Sequence, residues 1–288
     1  MVANTELDNG QLRSEDFDRM VKGFALREFV MKDLLMVNTS SAWVESYFRE
    51  TGSDLTGGTG SAVKGIPRLA DFPYGEKTWT KVSAYIEKYG MECVISYEDI
   101  LTANIDVMAR QLLRVARAVS YAVDTQIYSV LSAGAGNSVA IAVGSEWDSA
   151  TVANRDPIQN ILNARRELSI DNFNPDSNGY LVLNPTDYAH VLGNSKVVNN
   201  PTFKTADVVS NGNVGKICGL TIKVSNVVSV SEALVVIAKE CGTWRSAKGL
   251  TVEQIDNPGI SKKIRAFELG VAQLTTPDAV CKITNTDA

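Results

Sequence analysis

Residues Ser96 to Ser132 read SYEDILTANIDVMARQLLRVARAVSYAVDTQIYSVLS. Leu101, Ile105, Met108, Leu112, Val115, Val119, Val123, Ile127 and Val130 recur three or four apart, the period of one helix face. Ser96 stands where an N-cap is expected, with Asp99 as the capping-box acceptor. Arg110, Arg114, Arg117 and Asp124 fall off the apolar stripe. No proline or glycine interrupts the run. At 1.5 Å per residue the helix would be about 55 Å long, against a diameter of about 50 Å for a compact chain of this size. The stretch therefore predicts an elongated or plate-like subunit with one helix across it.

Upstream, Lys77 to Ile95 has strand composition: Trp79, Val82, Tyr85, Ile86, Tyr89, Val94 and Ile95. Before it, residues 51–65 are rich in glycine and small polar residues, and Pro67, Pro73 and Gly75 punctuate the approach. The simplest reading is a two-stranded excursion, out through residues 59–72 and back through 77–90, each arm roughly 45 Å long at about 3.3 Å per residue. A lone hairpin of this kind is marginal in water, so it needs a surface to lie on, and a neighbouring subunit is the candidate. Residues 1–50 read as an N-terminal arm. Ser14 caps a helical pattern through Phe17, Met20, Val21, Phe24, Ala25 and Phe29, and amphipathic sequence continues through Leu34, Leu35, Trp43 and Tyr47. The acidic run Glu6, Asp8, Glu15, Asp16 and Asp18 reads as a solvated helix start.

Downstream, the long helix ends at Ala133-Gly-Ala-Gly-Asn137, and a polar passage leads to a second helix with Asp156 as N-cap and Pro157 as its first residue. Tyr180–Leu183 reads as a short buried strand, after which Asn184 caps a helix that starts at Pro185 and stops at Gly193. Ile217–Val224, Ala233–Ala238, Leu250–Ile255, Lys262–Leu274 and Val280–Thr284 read as strands. Runs of helix and runs of strand, without regular alternation, place the chain in the α+β class.

The chain has 288 residues, 44% hydrophobic and 21% charged, as expected of an ordinary folded domain. Its formal charge is −5, from 28 Lys+Arg against 33 Asp+Glu, which argues against sequence-specific gripping of nucleic acid through phosphates. Cys93, Cys218, Cys241 and Cys281 are widely spaced with no CxxC pair, so free, mostly buried thiols are expected rather than a zinc site or disulfide framework. Met1 to Gly10 is polar and acidic, unlike a signal peptide, and no apolar run is long enough to cross a membrane; synthesis in the cytoplasm is expected. The single histidine, His190, lies on the short helix with no nucleophile motif marked for it. Gly57-Gly-Thr-Gly60 and Gly134-Ala-Gly136 lack the lysine spacing and the strand-loop-helix setting of a phosphate loop. No catalytic, cofactor or metal site emerges. The three arginines on the long helix suit ion pairing, within or between subunits, better than a nucleic-acid stripe in a net acidic chain.

Four stretches resemble the major capsid proteins of tailed bacteriophages, the Hong Kong 97-type shell fold. Lys88-Tyr-Gly-Met-Glu-Cys-Val-Ile-Ser-Tyr-Glu-Asp-Ile100 is similar to the family's extended-loop return strand entering the spine helix. Tyr180-Leu-Val-Leu-Asn-Pro-Thr-Asp-Tyr188 is similar to its strand, Asn-Pro and helix element. Lys216-Ile-Cys-Gly-Leu-Thr-Ile-Lys-Val-Ser225 resembles its glycine-then-strand element, and Lys263-Ile-Arg-Ala-Phe-Glu-Leu-Gly-Val-Ala272 with Pro277-Asp-Ala-Val280 resembles its closing strands.

The resemblance implies an N-terminal arm (1–50), an extended loop (51–95), a spine helix with part of a peripheral domain (96–178), an axial domain (179–258) and closing peripheral strands (259–288). It implies a non-enzymatic subunit, without cofactor, that self-assembles into pentamers and hexamers of an icosahedral virion shell, put together in the host cytoplasm around double-stranded DNA held only non-specifically. Partners would be further copies of the chain, with a portal, decoration proteins and either a separate scaffold protein or none, and no membrane. Some members carry a long scaffolding segment ahead of the arm; with about 50 residues before the loop, a separate scaffold protein, or none, is expected here. Some members crosslink a loop lysine to a neighbour's asparagine; Lys64, Lys77 and Lys81 with Asn257 are available, but no motif singles them out and no crosslink is expected. An encapsulin-like compartment around cargo enzymes is the alternative, and a hydrolase built on His190 a third. Candidate intersubunit contacts are Lys64, Arg68, Trp79, Lys81 and Tyr85, with the aromatics first because aromatic side chains dominate interfaces.

Overall fold

The computed structural model describes Val21 and residues 29–50, 66–71, 80–98, 105–198 and 215–287. In chain order these form a 3-10 turn at Lys32–Leu34, strands β1 (Met36–Thr39), β2 (Val44–Arg49), β3 (Thr80–Tyr85) and β4 (Glu87–Ser96), and the long helix α1 (Ile105–Gly134). Strand β5 (Asn137–Ala140), helices α2 (Pro157–Ile170) and α3 (Pro175–Asn178), β6 (Gly179–Leu183), α4 (Pro185–Gly193) and α5 (Ser195–Val198) follow. The chain closes with β7 (Lys216–Ile217), β8 (Leu220–Val224), β9 (Glu232–Ile237), β10 (Gly242–Asn257), β11 (Ser261–Leu274) and β12 (Val280–Thr284).

The apolar stripe of the long helix is realised from Leu112 onward, where Leu112, Val115, Val119, Val123, Ile127 and Leu131 are buried. Ser96 is the last residue of β4, paired with Ser261, and Asp99 lies outside the described residues. At the other end the helix runs on to Gly134. Asp124, off the apolar stripe, nevertheless does not face solvent. It is buried and accepts hydrogen bonds from the backbone N–H groups of Val30, Met31 and Lys32 at 2.8, 3.2 and 3.2 Å. A carboxylate that caps a foreign turn can sit on the buried side of a helix, and periodicity alone does not reveal the turn.

Helix α1 lies on a four-stranded sheet of order β1-β10-β11-β4, against β11 and β4. β10 and β11 form a long antiparallel hairpin from Gly242↔Leu274 to Asn257↔Ser261, with register shifts near Lys248. At its base Trp244 packs over Gly270, where a Cβ would fall 2.4 Å from the indole ring, so only glycine fits. The fully buried Glu268 accepts a hydrogen bond from the Trp244 indole N–H at 3.1 Å and pairs with the Lys32 ammonium. That ammonium also sits over the Phe29 and Trp244 rings. Residues 29–39 thus strap the molecule together. They meet α1 through Asp124, and the four-stranded sheet through Glu268 and the parallel β1–β10 ladder. They reach the second sheet through Lys223, which contacts the Val30 carbonyl and Asp33 at 3.3 and 3.0 Å.

The second sheet has six strands in the order β5-β12-β9-β6-β8-β7, with α2 against β5, β12 and β9. β9 is the continuous apolar run, and Ala233 to Ile237 are all buried, as a central strand covered on both faces requires. Both proline-started helices form as expected: the Asp156 and Asn184 side chains accept from Gln159 N–H and Thr186 N–H. The strand expected over Ile217–Val224 is instead a tight hairpin. Cys218 and Gly219 occupy its two-residue turn at φ 49° and 82°, and Ile217 pairs with Leu220. Arg165 holds the turn from below through the Cys218 carbonyl.

Three further features differ from the expectation. The outgoing partner of β3 is β2, from Val44↔Tyr85 to Arg49↔Thr80, whereas residues 66–71 make a turn closed by Ala70 N–H to the Pro67 carbonyl at 3.2 Å. Tyr47 thus lies in a strand, with Trp43 just before it, where the arm's amphipathic sequence continues. The returning segment is also two strands, because the chain turns at buried Ile86 from the β2–β3 ladder into the four-stranded sheet. Finally, the sheets cut across the expected domain boundaries. β10 joins the four-stranded sheet although most of it precedes residue 258, and β12 joins the six-stranded sheet although it follows residue 259.

Candidate assembly surface

The β2–β3 ladder is a two-stranded sheet of its own. Alternation divides its side chains between two faces. Glu45, Tyr47 and Arg49 with Val82 and Ala84 are half-buried, on the side that approaches the rest of the subunit. On the other side Val44 faces Tyr85, Ser46 faces Ser83 and Phe48 faces Lys81, all exposed. Trp43, Val44, Phe48 and Tyr85 retain 71, 45, 55 and 69% of their accessible surface. These large apolar side chains lie exposed close together on and beside one short ribbon, which makes it the candidate surface. The ribbon's root is fixed by Ile86 N–H to the Trp43 carbonyl (3.0 Å) and Glu50 N–H to the Thr275 carbonyl (2.8 Å).

Of the five contact candidates, Tyr85 and Lys81 lie on this exposed face, and Arg68 is exposed in the turn beside Leu69, whose φ of 68° is left-handed. Lys64 and Trp79 lie outside the described residues, as do Lys77, the Gly57–Gly60 segment and the arm helix except for Val21. Sequence reasoning missed Trp43, Val44 and Phe48; the signal was the period-two alternation at 44, 46 and 48. Asn257 ends β10 at the tip of the β10–β11 hairpin.

The other residues weighed for chemistry have structural settings. Gly134 closes α1 and Gly136 packs against Asp278, so this glycine pair follows a helix rather than opening one. Arg110, Arg114 and Arg117 are exposed along α1. Cys93, Cys241 and Cys281 are buried and Cys218 is half-buried; burial pushes the Cys241 and Cys281 thiols up to about 12, away from thiolate reactivity. His190 lies on α4 with its Nε2 3.9 Å from Asp287 Oδ1. No helix among the described residues is long and apolar enough to cross a membrane.

Comparison with known proteins places this architecture. No curated protein matches the sequence. Among solved structures, the capsid of cyanophage P-SCSP1u superposes with a TM-score of 0.66 at 14% identity, over 90% of this chain and 89% of that one. A phage-related protein from Bordetella bronchiseptica gives 0.65 at 15%, over 94% and 96%. A virus-like particle from Pyrococcus furiosus gives 0.62 at 12%, over 93% and 98%. At such identities the likeness establishes the fold, which is the Hong Kong 97-type shell fold. The model of the phage capsid protein family matches residues 79–283, from just before β3 into β12, and the chain belongs to that family as a structural subunit of a capsid shell.

Proposed function

We propose that the chain self-assembles into the pentamers and hexamers of an icosahedral bacteriophage shell enclosing double-stranded DNA. The observation that carries this reading is the β2–β3 ribbon, with Val44, Phe48 and Tyr85 exposed on its outer face and Trp43 exposed just before it. A free two-stranded ribbon is marginal, and covering its apolar face with a second copy supplies the missing packing. The net charge of −5 suits a container that holds DNA without gripping it.

In this reading the four-stranded sheet with α1 is the peripheral domain, the six-stranded sheet is the axial domain that meets its copies around the five- and six-fold axes, and Arg68, Lys81 and Tyr85 contact the neighbour. Portal, decoration and separate scaffold proteins complete the particle, which assembles in the host cytoplasm. Negative-stain microscopy of the purified chain tests the proposal, with closed polyhedra or rings of five and six expected. A monomer at every salt and protein concentration, and also on co-expression with the neighbouring genes, overturns it.

A second reading is a compartment shell around cargo protein, favoured by the match to the Pyrococcus furiosus virus-like particle over 98% of that chain. Nuclease-resistant DNA inside purified shells supports the virion, and a co-purifying enclosed protein supports the compartment.

A further inference from the structure

Asp187 sits in the first turn of α4, after the Asn184 cap and Pro185, where helix amides ordinarily welcome a carboxylate. It is fully buried, however, and neither carboxylate oxygen makes a well-formed hydrogen bond among the described residues. The side chain facing it, Thr286, is also fully buried, with its hydroxyl equally unsatisfied. Around the pair stand two more carboxylates, Asp148 from the loop after β5 and Asp287 from the C-terminal segment. A cationic candidate beside them is His190, one turn along α4, with its Nε2 3.9 Å from Asp287 Oδ1.

The C-terminal segment that carries Thr286 and Asp287 is held by backbone bonds. Thr286 N–H donates to the Ser231 carbonyl at 3.2 Å, and Trp147 N–H donates to the Thr286 carbonyl at 2.9 Å. The Asn285 amide donates to the Ile141 carbonyl at 3.1 Å and to Glu146 at 3.3 Å. Residues 285–287 therefore bridge the Ile141–Asp148 loop, the turn before β9 and α4 at the edge of the six-stranded sheet.

We propose that residues 285–287 and α4 form a proton-responsive clasp, closed more tightly when the buried Asp187 carboxyl is protonated. Crowded carboxylates can be neutralised by a cation or by a proton. For the buried Asp187 a proton supplies that neutralisation in place. A protonated Asp187 can donate to Thr286 Oγ1, as the ionised carboxylate can accept from that hydroxyl, but only protonation removes the repulsion from Asp148 and Asp287. Burial, reinforced by Asp287 and Asp148 and opposed by the Thr286 hydroxyl and His190, pushes the Asp187 carboxyl up to about 6. Opening exposes it to water and returns it to the ordinary carboxylate range, so the closed clasp binds the proton more tightly and closure strengthens as pH falls. With the closed-state value at about 6, the opening constant should fall about tenfold between pH 7.5 and pH 5.

Only the consequence, a shell whose subunits stiffen in mild acid, rests on the capsid reading; the clasp can be measured on the unassembled subunit. Hydrogen exchange of the Trp147 and Thr286 amides, corrected for the intrinsic pH dependence of exchange, reads its opening directly. In the wild type their protection should rise about tenfold from pH 7.5 to pH 5, and in Asp187→Asn it should be flat. Amides of the β6–β9 ladder report any global change. A flat wild type, or the same rise in Asp187→Asn, overturns the proposal. Should Asp187→Asn fail to fold, Asp287→Asn decides: a reduced rise supports the clasp, and an unchanged one overturns it.

Discussion

Val44 stands directly opposite Tyr85 in the β2–β3 ribbon, and both side chains point away from the subunit that carries them. Substitutions on this face should separate folding from assembly. Trp43→Ser with Tyr85→Ser removes two exposed aromatics and leaves the ladder's backbone bonds intact. Chemical denaturation should place the variant within about 0.5 kcal/mol of wild type, as for other surface changes. Light scattering and microscopy should show its assembly threshold raised at least about tenfold, because each lost aromatic anchor is repeated at every contact of the shell. Equal loss of stability and assembly would mean that the ribbon folds as part of the core.

The Lys32–Glu268 pair makes a second, asymmetric prediction. Glu268 is fully buried, and its only cationic partner with a described contact is Lys32, which brings the strap onto the four-stranded sheet. Lys32→Met leaves a buried carboxylate uncompensated and should cost about 3 kcal/mol. Adding Glu268→Gln neutralises that charge and keeps an acceptor for the Trp244 indole N–H, so the double variant should recover about 2 kcal/mol of the loss. Urea midpoints of the three proteins measure this, and additive losses in the double variant would show that the pair is not the tie.

Asp124 ties the same strap to α1 and gives stability a pH dependence of definite sign. Burial pushes its carboxyl up to about 6, against the three backbone N–H groups, which act the other way. The folded state therefore holds the proton more tightly than the unfolded state, and stability grows as pH falls through the folded value toward the ordinary carboxylate range. Between pH 7.5 and pH 5 this amounts to about 1.4 kcal/mol for Asp124. Glu232, bonded by Lys282, Tyr128 and Ser132, is lowered instead, so its contribution is lost only in stronger acid. The thermal midpoint should accordingly rise from pH 7.5 to about pH 5 and fall below it. Asp124→Asn should flatten the rise in part, and an unchanged profile in that variant would remove Asp124 as its source.

What could be read from the sequence follows physical range. Elements decided locally were legible: the α1 stripe, the Asp156-Pro157 and Asn184-Pro185 helix starts, and the apolar run of β9. Elements decided by a distant partner were not. β1 is a strand because it finds β10, β2 because it finds β3, and Asp124 is buried because a turn far away in sequence brings its N–H groups to it. The assembly face was half legible for the same reason. Tyr85 and Lys81 came from strand-like sequence, whereas Trp43, Val44 and Phe48 were hidden in a stretch whose spacing fits two periods.

The β7–β8 turn shows how a local rule can be right in kind and missed in place. A two-residue hairpin with both central residues at positive φ favours Asn-Gly or Gly-Gly, and here the pair is Cys218-Gly219 at 49° and 82°. Cysteine carries a Cβ into the left-handed region at a cost of about 1 kcal/mol, which explains why the dipeptide does not announce a turn. Cys218→Asn should therefore stabilise the protein by about 0.5–1 kcal/mol. Gly219→Ala should do the opposite. A Cβ there would fall 2.7 Å from Arg165 Nη1 and 2.9 Å from Asp176 Oδ1, so strain adds to the loss of the guanidinium's grip on the Cys218 carbonyl. A loss of about 2 kcal/mol in a urea titration is expected, with the two substitutions moving the midpoint in opposite directions. If both destabilise, the Cys218 thiol contributes to packing in a way that outweighs the backbone strain it brings.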